Sequence, residues 1–320
     1  MPPTTIDVLP DELLQLIFVD FSRFQLYHIC LVSQRFSALA TGPLYQKIST
    51  SSLSSKKFTA LLVSLCLHQR LALHVRYLKL RLRNVSLDKP FSASQALRIV
   101  RKHDFKKALS TFRNLGSLFG LLSRTLQRTT NLEHLGLVVE RAECNRMSQL
   151  LAFCTFQLRQ LDTTVFMLSK METFFSTQRT LETLIVRDMM SLIESKAPFS
   201  MLSLPALKSL AWDSHVSIQV IQGLLRKTTN TIIVDLTSKD KKKRVISGLK
   251  SGGTLSSVLD LGSHASCIKM LTIRFANFPK QVQVEEIPRL LPHLASLSIH
   301  VQKPFSDVVS RWYFSLDVPC

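Results

Sequence analysis

Apolar residues crowd the start of the chain more closely than a single helical stripe requires. The run from Leu13 to Val19 contains only one polar residue. Just before it, Pro10 suits a first helical turn, and Asp11 and Glu12 suit the positive end of a helix dipole. A surface helix of a globular protein needs one apolar stripe facing the core. The pattern therefore predicts a helix near the start of the chain that is buried on more than one side.

A second helix is predicted from Phe24 to Ala40, with Gly42-Pro43 as its end signal. Two or three short helices within about forty residues bury too little surface to be stable alone. We therefore predict that residues 1–48 form a small helical module. It would be completed either by the rest of the chain or by a second protein.

A short LxxLxL-type phrase recurs after a serine-rich joint at Ser49–Ser55 and a predicted helix at Lys56–Leu73. Its central leucines fall at positions 78, 135, 161, 184, 210, 271 and 297, which gives steps of 57, 26, 23, 26, 61 and 26. The two long steps are close to double a single unit, so each predicts one hidden degenerate repeat, with Thr231–Leu236 as the candidate in the second. This period fits leucine-rich repeats, in which strands and helices alternate and stack into one continuous core.

The predicted fold class is therefore α/β. The helical module would be followed, over residues 49–320, by an irregular leucine-rich-repeat solenoid of strand–helix units on a curved parallel sheet. The asparagine ladder of regular repeats is missing from the sequence, which argues against a uniform horseshoe. The alternative is a generic α/β domain in which the leucine phrases coincide by chance.

Alternation along the first predicted strand separates an apolar face from a basic face. Successive strand residues point to opposite sides of a sheet, so Leu78, Leu80 and Leu82 would face the core. The other face would then carry cations beside an aromatic ring, which suits a carboxylate or a phosphate. The alternative is a solvated edge of the first repeat. The candidate target-binding residues, including two arginines of the same phase on later strands, are Tyr77, Lys79, Arg81, Arg83, Arg187 and Arg274.

Positive charge is concentrated outside the helical module. The formal net charge is +19, and residues 1–50 carry three Lys/Arg against four Asp/Glu, which leaves +20 on the remainder. Residues 56–113 carry fourteen Lys/Arg against two Asp, and residues 239–250 carry six against one. This balance favours an acidic, phosphorylated or nucleic-acid partner. The basic run at 241–244 is either a solvated loop, a nuclear-localisation patch or a phosphate contact.

Motifs of catalysis, cofactor binding and membrane insertion do not stand out. The sequence has no GxSxG, Walker, GxGxxG or HExxH motif, and its nine histidines and six cysteines form no ligand spacing typical of a metal site. No apolar run reaches about eighteen residues, so no membrane span is predicted. Cysteines this dispersed are typical of reduced thiols, which predicts a cytoplasmic or nuclear protein. We therefore expect a non-catalytic chain without a cofactor or metal.

The amino-terminal pattern resembles an F-box over about residues 6–46. The similarity lies in Leu9-Pro10-Asp11-Glu12-Leu13-Leu14 and Ile17-Phe18, followed by Leu31-Val32-Ser33 and Leu39-Ala40. Together with Phe36 and Pro43-Leu44-Tyr45, the pattern is similar to fungal F-box proteins in particular. It departs from the family in a shorter link at Asp20–Gln25 and in a phenylalanine, Phe36, where many members have tryptophan.

The resemblance implies docking on the Skp adaptor of a cullin-based SCF ubiquitin ligase, with irregular leucine-rich repeats holding the target for ubiquitin conjugation and degradation. The alternative is that the same side chains only pack against the repeat domain. Carried over by the motif, the Skp-binding residues are Leu9, Pro10, Leu13, Leu14, Ile17, Phe18, Ile29, Val32, Phe36 and Leu39.

Two other classes of function compete with a ligase adaptor. A basic nucleic-acid-binding protein, or a scaffold outside any ligase, would account for the charge, but the sequence has no nucleic-acid-binding motif and only 8% aromatic residues. An enzyme with a site assembled from distant residues is the third class, and no set of residues recommends a reaction for it.

Overall fold

The computed structural model describes fourteen stretches of the chain. They are residues 6–51, 53–82, 85–91, 98, 112, 116–140, 143–164, 168–186, 204–213, 232–237, 268–275, 293–294, 296–301 and 310–314. The chain divides into two compact units. The first comprises Met1–Leu135 with Cys154–Phe156, and the second comprises Gly136–Phe153 with Gln157–Cys320. The boundary predicted at residue 48 therefore lies inside the first unit.

The first unit begins with three short helices. A 3-10 turn at Ile6–Val8 precedes α1 (Asp11–Val19), α2 (Arg23–Ile29) and α3 (Gln34–Gln46). The single helix predicted from Phe24 to Ala40 is therefore wrong, because the chain breaks after α2 and starts again. Serine hydroxyls at Ser22 and Ser33 accept the backbone N–H of the residue three positions on, which satisfies a free donor at each helix start. Gly42-Pro43 does not end the helix, since α3 continues through Pro43.

These helices form a small apolar core of their own. Both α1 and α2 pack on α3, and α3 packs on the elements that follow it. The Phe18 and Phe36 rings meet edge to face, with their centroids 5.8 Å apart. The buried members of the core are Leu14, Phe18, Leu26, Phe36 and Ala40.

Among the described residues, the remainder of the first unit contains three more helices with defined bounds. The helix predicted over 56–73 is interrupted at His68 and forms α4 (Ser55–Leu67) and α5 (Gln69–His74). The next, α6 (Leu118–Arg128), packs on α4, and the Thr125 hydroxyl donates to the Leu62 carbonyl at 3.3 Å.

The first unit also contains two parallel strands, of which the first directly follows the helical module. β1 (Lys47–Ser49) pairs with β2 (Tyr77–Arg81), with Ile48 opposite Leu78. Thr50 fixes this edge, because its N–H donates to the Lys79 carbonyl at 2.9 Å and its hydroxyl accepts the Arg81 N–H at 3.0 Å. The serine-rich segment predicted as a joint is therefore held to β2 where the structure describes it.

A third strand, β3 (His134–Val138), starts in the first unit. The backbone N–H groups of Glu133 and His134 both donate to the Arg76 carbonyl, each at 2.9 Å. β3 thus follows directly beside β2, and much of the first long step, where a hidden degenerate repeat is predicted, lies outside the described residues. The fifty-odd residues of that step contribute α6 but no described strand between the two.

The second unit contains a series of parallel strands with the leucine phrases in register. The centre of each phrase pairs with the centre of the next: Leu161 with Leu184, Leu184 with Leu210, Leu210 with Val234, Val234 with Leu271, and Leu271 with Leu297. The strands are β4 (Gln160–Thr163), β5 (Thr183–Val186), β6 (Ser209–Asp213), β7 (Ile232–Thr237), β8 (Ile268–Phe275) and β9 (Ser296–Val301). β7 confirms the strand predicted at Thr231–Leu236.

The last strand, β10 (Ser310–Phe314), runs antiparallel to β9. Eight residues separate the two strands, from Gln302 to Val309. A parallel crossover needs a dozen or more residues, so this link permits only the antiparallel arrangement. In the described part of this unit, the earlier strands are accompanied by α7 (Cys144–Ala152) and α8 (Leu168–Thr177), which pack on each other.

A hydrogen-bond pattern repeats where each leucine phrase meets the one before it. Glu182 and Thr183 donate their N–H groups to the Arg159 carbonyl, and Lys208 and Ser209 donate theirs to the Glu182 carbonyl, at 2.8 to 2.9 Å. Glu133 and His134 make the same pair of bonds to Arg76. Charges at these positions pair as well, Arg76 with Glu133 and Lys208 with Glu182.

The described residues thus form a mixed α/β fold with parallel strands, which confirms the predicted class. In this part of the chain no helix is both long and apolar enough to cross a membrane.

Candidate functional site

Large apolar side chains are exposed mainly in the helical module. Among the described residues, ten such side chains lie between Ile6 and Val32, and two lie elsewhere, Leu73 and Phe153. Scattered exposed apolar residues are normal on a folded protein, whereas a concentration of them marks an interaction site. Those in the module are Ile6, Val8, Leu13, Leu16, Ile17, Val19, Phe24, Tyr27, Leu31 and Val32.

Helix α1 divides its apolar residues between two faces. Leu14 and Phe18, four positions apart, point into the module core and are at most 1% exposed. Leu13, Leu16 and Ile17 have the three- and four-residue spacing of a second face, and Leu16 is 68% exposed. The helix is therefore apolar on two sides, and the protein covers only one of them.

Helix α2 and the link after it extend this exposure. Phe24 is 73% exposed, and its ring lies 4.4 Å from the ring of His28. Tyr27 also contacts His28, at 5.5 Å between centroids, so the three rings form one exposed aromatic group. Leu31 and Val32 follow in the link before α3 and are 66% and 68% exposed. We define the exposed apolar surface as Leu13, Leu16, Ile17, Phe24, Tyr27, Leu31 and Val32.

An arginine at the start of α3 holds the start of α1. The Arg35 Nε donates to the Asp11 carboxylate at 2.8 Å, and its Nη2 donates to the Leu9 carbonyl at 2.6 Å. Both Arg35 and Asp11 are substantially solvent-exposed, so the pair adds little to stability. Its geometric effect is to fix the Leu9-Pro10 turn, which leads into the exposed face of α1.

The predicted Skp-binding residues fall into three classes of exposure. Pro10, Leu13, Ile17 and Val32 are exposed, and Leu9, Ile29 and Leu39 are half-buried against the module core. Leu14, Phe18 and Phe36 are buried, so placing them on a docking surface needs correction. They form the core that holds the exposed residues in place, because a helix of nine residues cannot turn all of its apolar positions outward.

Sequence reasoning missed four residues of the exposed apolar surface: Leu16, Phe24, Tyr27 and Leu31. The resemblance includes Leu31 but assigns a docking role to none of the four, so they were not predicted as part of a surface. The signal that could have found them is the spacing around the core residues. Once Leu14 and Phe18 are taken as one face of α1, Leu13, Leu16 and Ile17 must lie on another.

A second candidate site lies on the β1–β2 strands. Leu78, Leu80 and Leu82 are buried, which confirms the predicted alternation, while Tyr77 and Lys79 are half-buried on the other face and Arg81 is exposed there. Parallel pairing adds Lys47 beside Tyr77, and the Tyr77 ring lies 6.1 Å from that of His134. We define the cationic strand face as Lys47, Lys79 and Arg81 together with Tyr77 and His134.

The other predicted target-binding arginines are not gathered at this site by the described structure. Arg83 and Arg187 lie outside the described residues. Arg274 lies in β8, where it pairs with Thr237 on one side and His300 on the other. The basic run at 241–244 also lies outside the described residues.

Burial perturbs several ionisable groups near these surfaces. Burial raises the pKa of the Tyr45 hydroxyl, Cys30 raises it further, and the opposing effect of Arg23 is smaller. Partial burial lowers the pKa of the Arg23 guanidinium. Within the described residues, no three histidine, cysteine, aspartate or glutamate side chains are grouped so that they could hold a metal ion.

Comparison with known proteins adds no assignment: no protein-family model matches the sequence, and no curated protein matches it.

Proposed function

We propose that this chain is a substrate-recognition adaptor of an SCF-type cullin ubiquitin ligase, in which the helical module is an F-box that docks on the Skp subunit. The remainder of the chain, an irregular leucine-rich-repeat domain, would hold a target protein. The chain itself would perform no bond chemistry. It would raise the effective concentration of the target's lysines near the catalytic subunits of the ligase.

The observation that carries the proposal is the concentration of exposed large apolar side chains in residues 6–32. Leaving such side chains in water forfeits about 1.5–3 kcal/mol for each one that could be fully buried. A second protein seated on α1, α2 and the 30–33 link would recover this free energy. The F-box-like order of the residues in this segment supports a Skp adaptor as that protein.

The way the module is attached also supports docking. The module contacts the rest of its unit through α3, which packs on α5 and β1. Gly42 of α3 approaches the His74 ring so closely that an added Cβ would lie 3.6 Å from it. Helices α1 and α2 pack on α3 and expose their remaining apolar residues. The surface opposite the anchor is thus the one available to a partner.

Repeating features of the strands support a leucine-rich-repeat domain. Successive phrase centres are paired one to one from β4 to β9, and the first leucines of four phrases, Leu132, Leu158, Leu181 and Leu207, are fully or almost fully buried. Each unit of such a stack covers the apolar face of its neighbour. We propose that the open face of these strands holds the target.

The docking test is co-purification of the chain with a Skp adaptor from cells expressing both. We expect wild type to retain the adaptor and the double variant Leu13→Ala plus Val32→Ala to lose it by at least about tenfold, because central apolar contacts dominate interface energy. Both residues are exposed, so the substitutions leave the module core intact. Their thermal unfolding midpoint should match that of wild type.

A matched control removes exposed apolar residues elsewhere. The double variant Leu73→Ala plus Phe153→Ala truncates two large apolar side chains that the described structure exposes outside the module. It should retain the adaptor as wild type does. Failure of wild type to bind any Skp adaptor, or equal binding by the two double variants, would contradict the proposal.

A further inference from the structure

We infer that β10 is the edge through which two copies of this chain pair, antiparallel about a two-fold axis at Trp312. The inference is separate from the ligase assignment, because it uses neither the helical module nor a target. It is carried by the position of β10 among the described strands, by the regularity of its backbone pairing, and by the order of its five residues.

Among the described strands, β10 has a neighbour on one edge only. Its five residues, Ser310–Phe314, pair in unbroken register with β9, from Val301 to Leu297. No strand of the described part of the chain pairs with the opposite edge. The backbone N–H and C=O groups of a strand are directed to both of its edges, so about half of those of β10 face the edge without a described partner. Another strand could satisfy these groups.

The sequence of β10 lacks the features that usually prevent edge strands from pairing. Natural edge strands are protected by lysine, proline, bulges or shortness. β10 has one charged residue, Arg311, followed by the three aromatic residues Trp312-Tyr313-Phe314, a residue class that favours strands. By contrast β1, which also has one described neighbouring strand, is three residues long, begins with Lys47 and contacts α3. The edge suited to pairing is therefore that of β10.

The order of residues in β10 is self-complementary. A two-fold axis places the central residue of a strand opposite the same residue of the second copy, so a charge at the centre would face its own kind. The central residue of β10 is Trp312, which carries no charge. Pairing about it places Arg311 opposite Tyr313 of the second copy, and Ser310 opposite Phe314. All five residues are then paired without bringing like charges together, which would be destabilising.

Other occupants of this edge fit less well. If β10 paired with β1 of another copy, Lys47 and Arg311 would lie on adjacent strands, and two of the five residues of β10 would have no partner. Such a head-to-tail contact also generates an open chain or a ring, whereas a two-fold contact closes after two copies. An extended segment of another protein would not require an uncharged centre. The self-complementary order therefore favours a second copy.

The association is expected to be weak and reversible. Five paired residues on each copy form a small interface, so we expect a dissociation constant on the order of 10 μM. The formal net charge of +19 makes two chains repel each other at low salt. At about 0.3 M salt the Debye length falls to about 6 Å, which screens this repulsion. The test is therefore made at that salt concentration.

Sedimentation velocity of the full-length chain tests the inference. We expect wild type to change from monomer to dimer between about 1 and 200 μM. Tyr313→Arg places an arginine opposite Arg311 in both halves of the pair and should weaken association at least about tenfold. The double variant Arg311→Glu plus Tyr313→Glu places glutamate opposite glutamate and should weaken it by a similar factor.

Mixing the two variants separates strand pairing from a folding defect. In an equimolar mixture each glutamate lies opposite an arginine, so the variants should associate with each other at least about tenfold more tightly than either does alone. Faulty folding of one variant would not produce this rescue. Lys56→Glu plus Gln69→Glu changes the net charge by the same amount as the glutamate double variant, at exposed positions of the first unit. It should self-associate as wild type does.

Tryptophan fluorescence locates the contact. The chain has two tryptophans, so Trp212→Phe leaves Trp312 as the only one, and its emission should change over the same concentration range as the mass. A monomeric wild type over the whole range, wild-type association in both β10 variants, or a mixture that associates no more tightly than its components would each overturn the inference. Constant Trp312 emission while the mass doubles would place the contact on another surface and overturn it as well.

Discussion

Leucine has opposite environments in the helical module and in the strands of the second unit. Leu161, Leu184 and Leu210 are fully buried at the centres of their strands, whereas Leu13 and Leu16 of α1 are 47% and 68% exposed. The two regions have similar apolar content in their sequences, so composition does not account for the difference. The difference in exposure comes from the neighbours that surround each leucine.

Each strand centre from β5 to β8 has a leucine or valine of an adjacent strand on both sides, as Leu184 has Leu161 and Leu210. A stack of this kind covers the apolar face of every interior unit with the next unit. In the described part of the chain, α1 and α2 of the helical module pack mainly on α3. Three short helices enclose five core residues and leave the rest of their apolar surface uncovered.

The repeated strands of the second unit and the incomplete helical module therefore treat their apolar residues differently. The repeating region buries the leucines of its strand centres within the protein, and apart from Phe153 its described exposed positions are almost all polar or charged. An incomplete module exposes residues that would otherwise form a core, and a partner can supply the missing layer. Substitutions of one residue type in the two regions should therefore have unequal effects on stability.

The largest expected difference is between Leu184→Ala and Leu16→Ala. Leu184 is fully buried between two paired leucines, so its truncation removes transfer free energy and leaves a cavity. We expect it to lower the free energy of unfolding by about 2–5 kcal/mol. Leu16→Ala should change that free energy by less than about 0.5 kcal/mol, because its side chain is mostly in water already.

Urea unfolding followed by far-ultraviolet circular dichroism measures both values. Val19→Ala, a second exposed position on α1, is the matched control for Leu16→Ala. Comparable losses for Leu184→Ala and Leu16→Ala would break the comparison, since they would mean that the protein itself covers the face of α1 carrying Leu16.

Sequence periodicity predicted the strands more fully than the helices. The leucine phrases placed strands at Leu78, Leu135, Leu161, Leu184 and Leu210, and the doubled step correctly predicted β7. A strand alternates with a period of two, so one buried leucine fixes the face of its neighbours. The antiparallel direction of β10 was not predicted, because it depends on the length of a link rather than on a pattern of apolar residues.

In the helical module, the sequence predicted an excess of apolar surface more accurately than it predicted where each helix begins and ends. With six of seven residues apolar from Leu13 to Val19, no periodicity distinguishes the inward face from the outward face. The break before α3 depends on a hydrogen bond from the Phe36 N–H to the Ser33 hydroxyl, which competes with continuation of the helix. Of the cationic strand face, Tyr77, Lys79 and Arg81 were predicted, whereas Lys47 and His134 join it only through strand pairing.

A smaller, pH-dependent effect on the free energy of unfolding is expected from Cys154, a buried thiol outside the helical module. Burial raises the pKa of Cys154 to about 12. In the unfolded chain a cysteine ionises near about 8.5, so above that pH the unfolded state releases a proton that the folded state retains. Stability is therefore fully present below about pH 8 and decreases as the pH rises toward 12, by up to about 1.4 kcal/mol per pH unit for this thiol.

The urea midpoint at pH 8 and at pH 10 checks this prediction. Cys154→Ala should show a smaller decrease between the two pH values than wild type, whatever its stability at pH 8. Phe153→Ala, the exposed neighbour, should show the wild-type decrease. A decrease unaffected by Cys154→Ala would mean that other groups, such as Cys66, whose pKa burial also raises, account for the alkaline loss.

The smallest expected effect concerns the helix start that positions the exposed link of the module. The Ser33 hydroxyl accepts the Phe36 N–H at 3.1 Å and begins α3 directly after the exposed Leu31 and Val32. Ser33→Ala should lower the free energy of unfolding by about 1 kcal/mol, because the N–H loses its partner. Ser33→Asp should restore most of that loss, since its carboxylate can accept the same N–H at the positive end of the helix dipole. Urea unfolding of the three proteins measures the effect. If Ser33→Asp is as unstable as Ser33→Ala, the break between α2 and α3 does not depend on this cap, and the packing of Phe36 against Phe18 must set it instead.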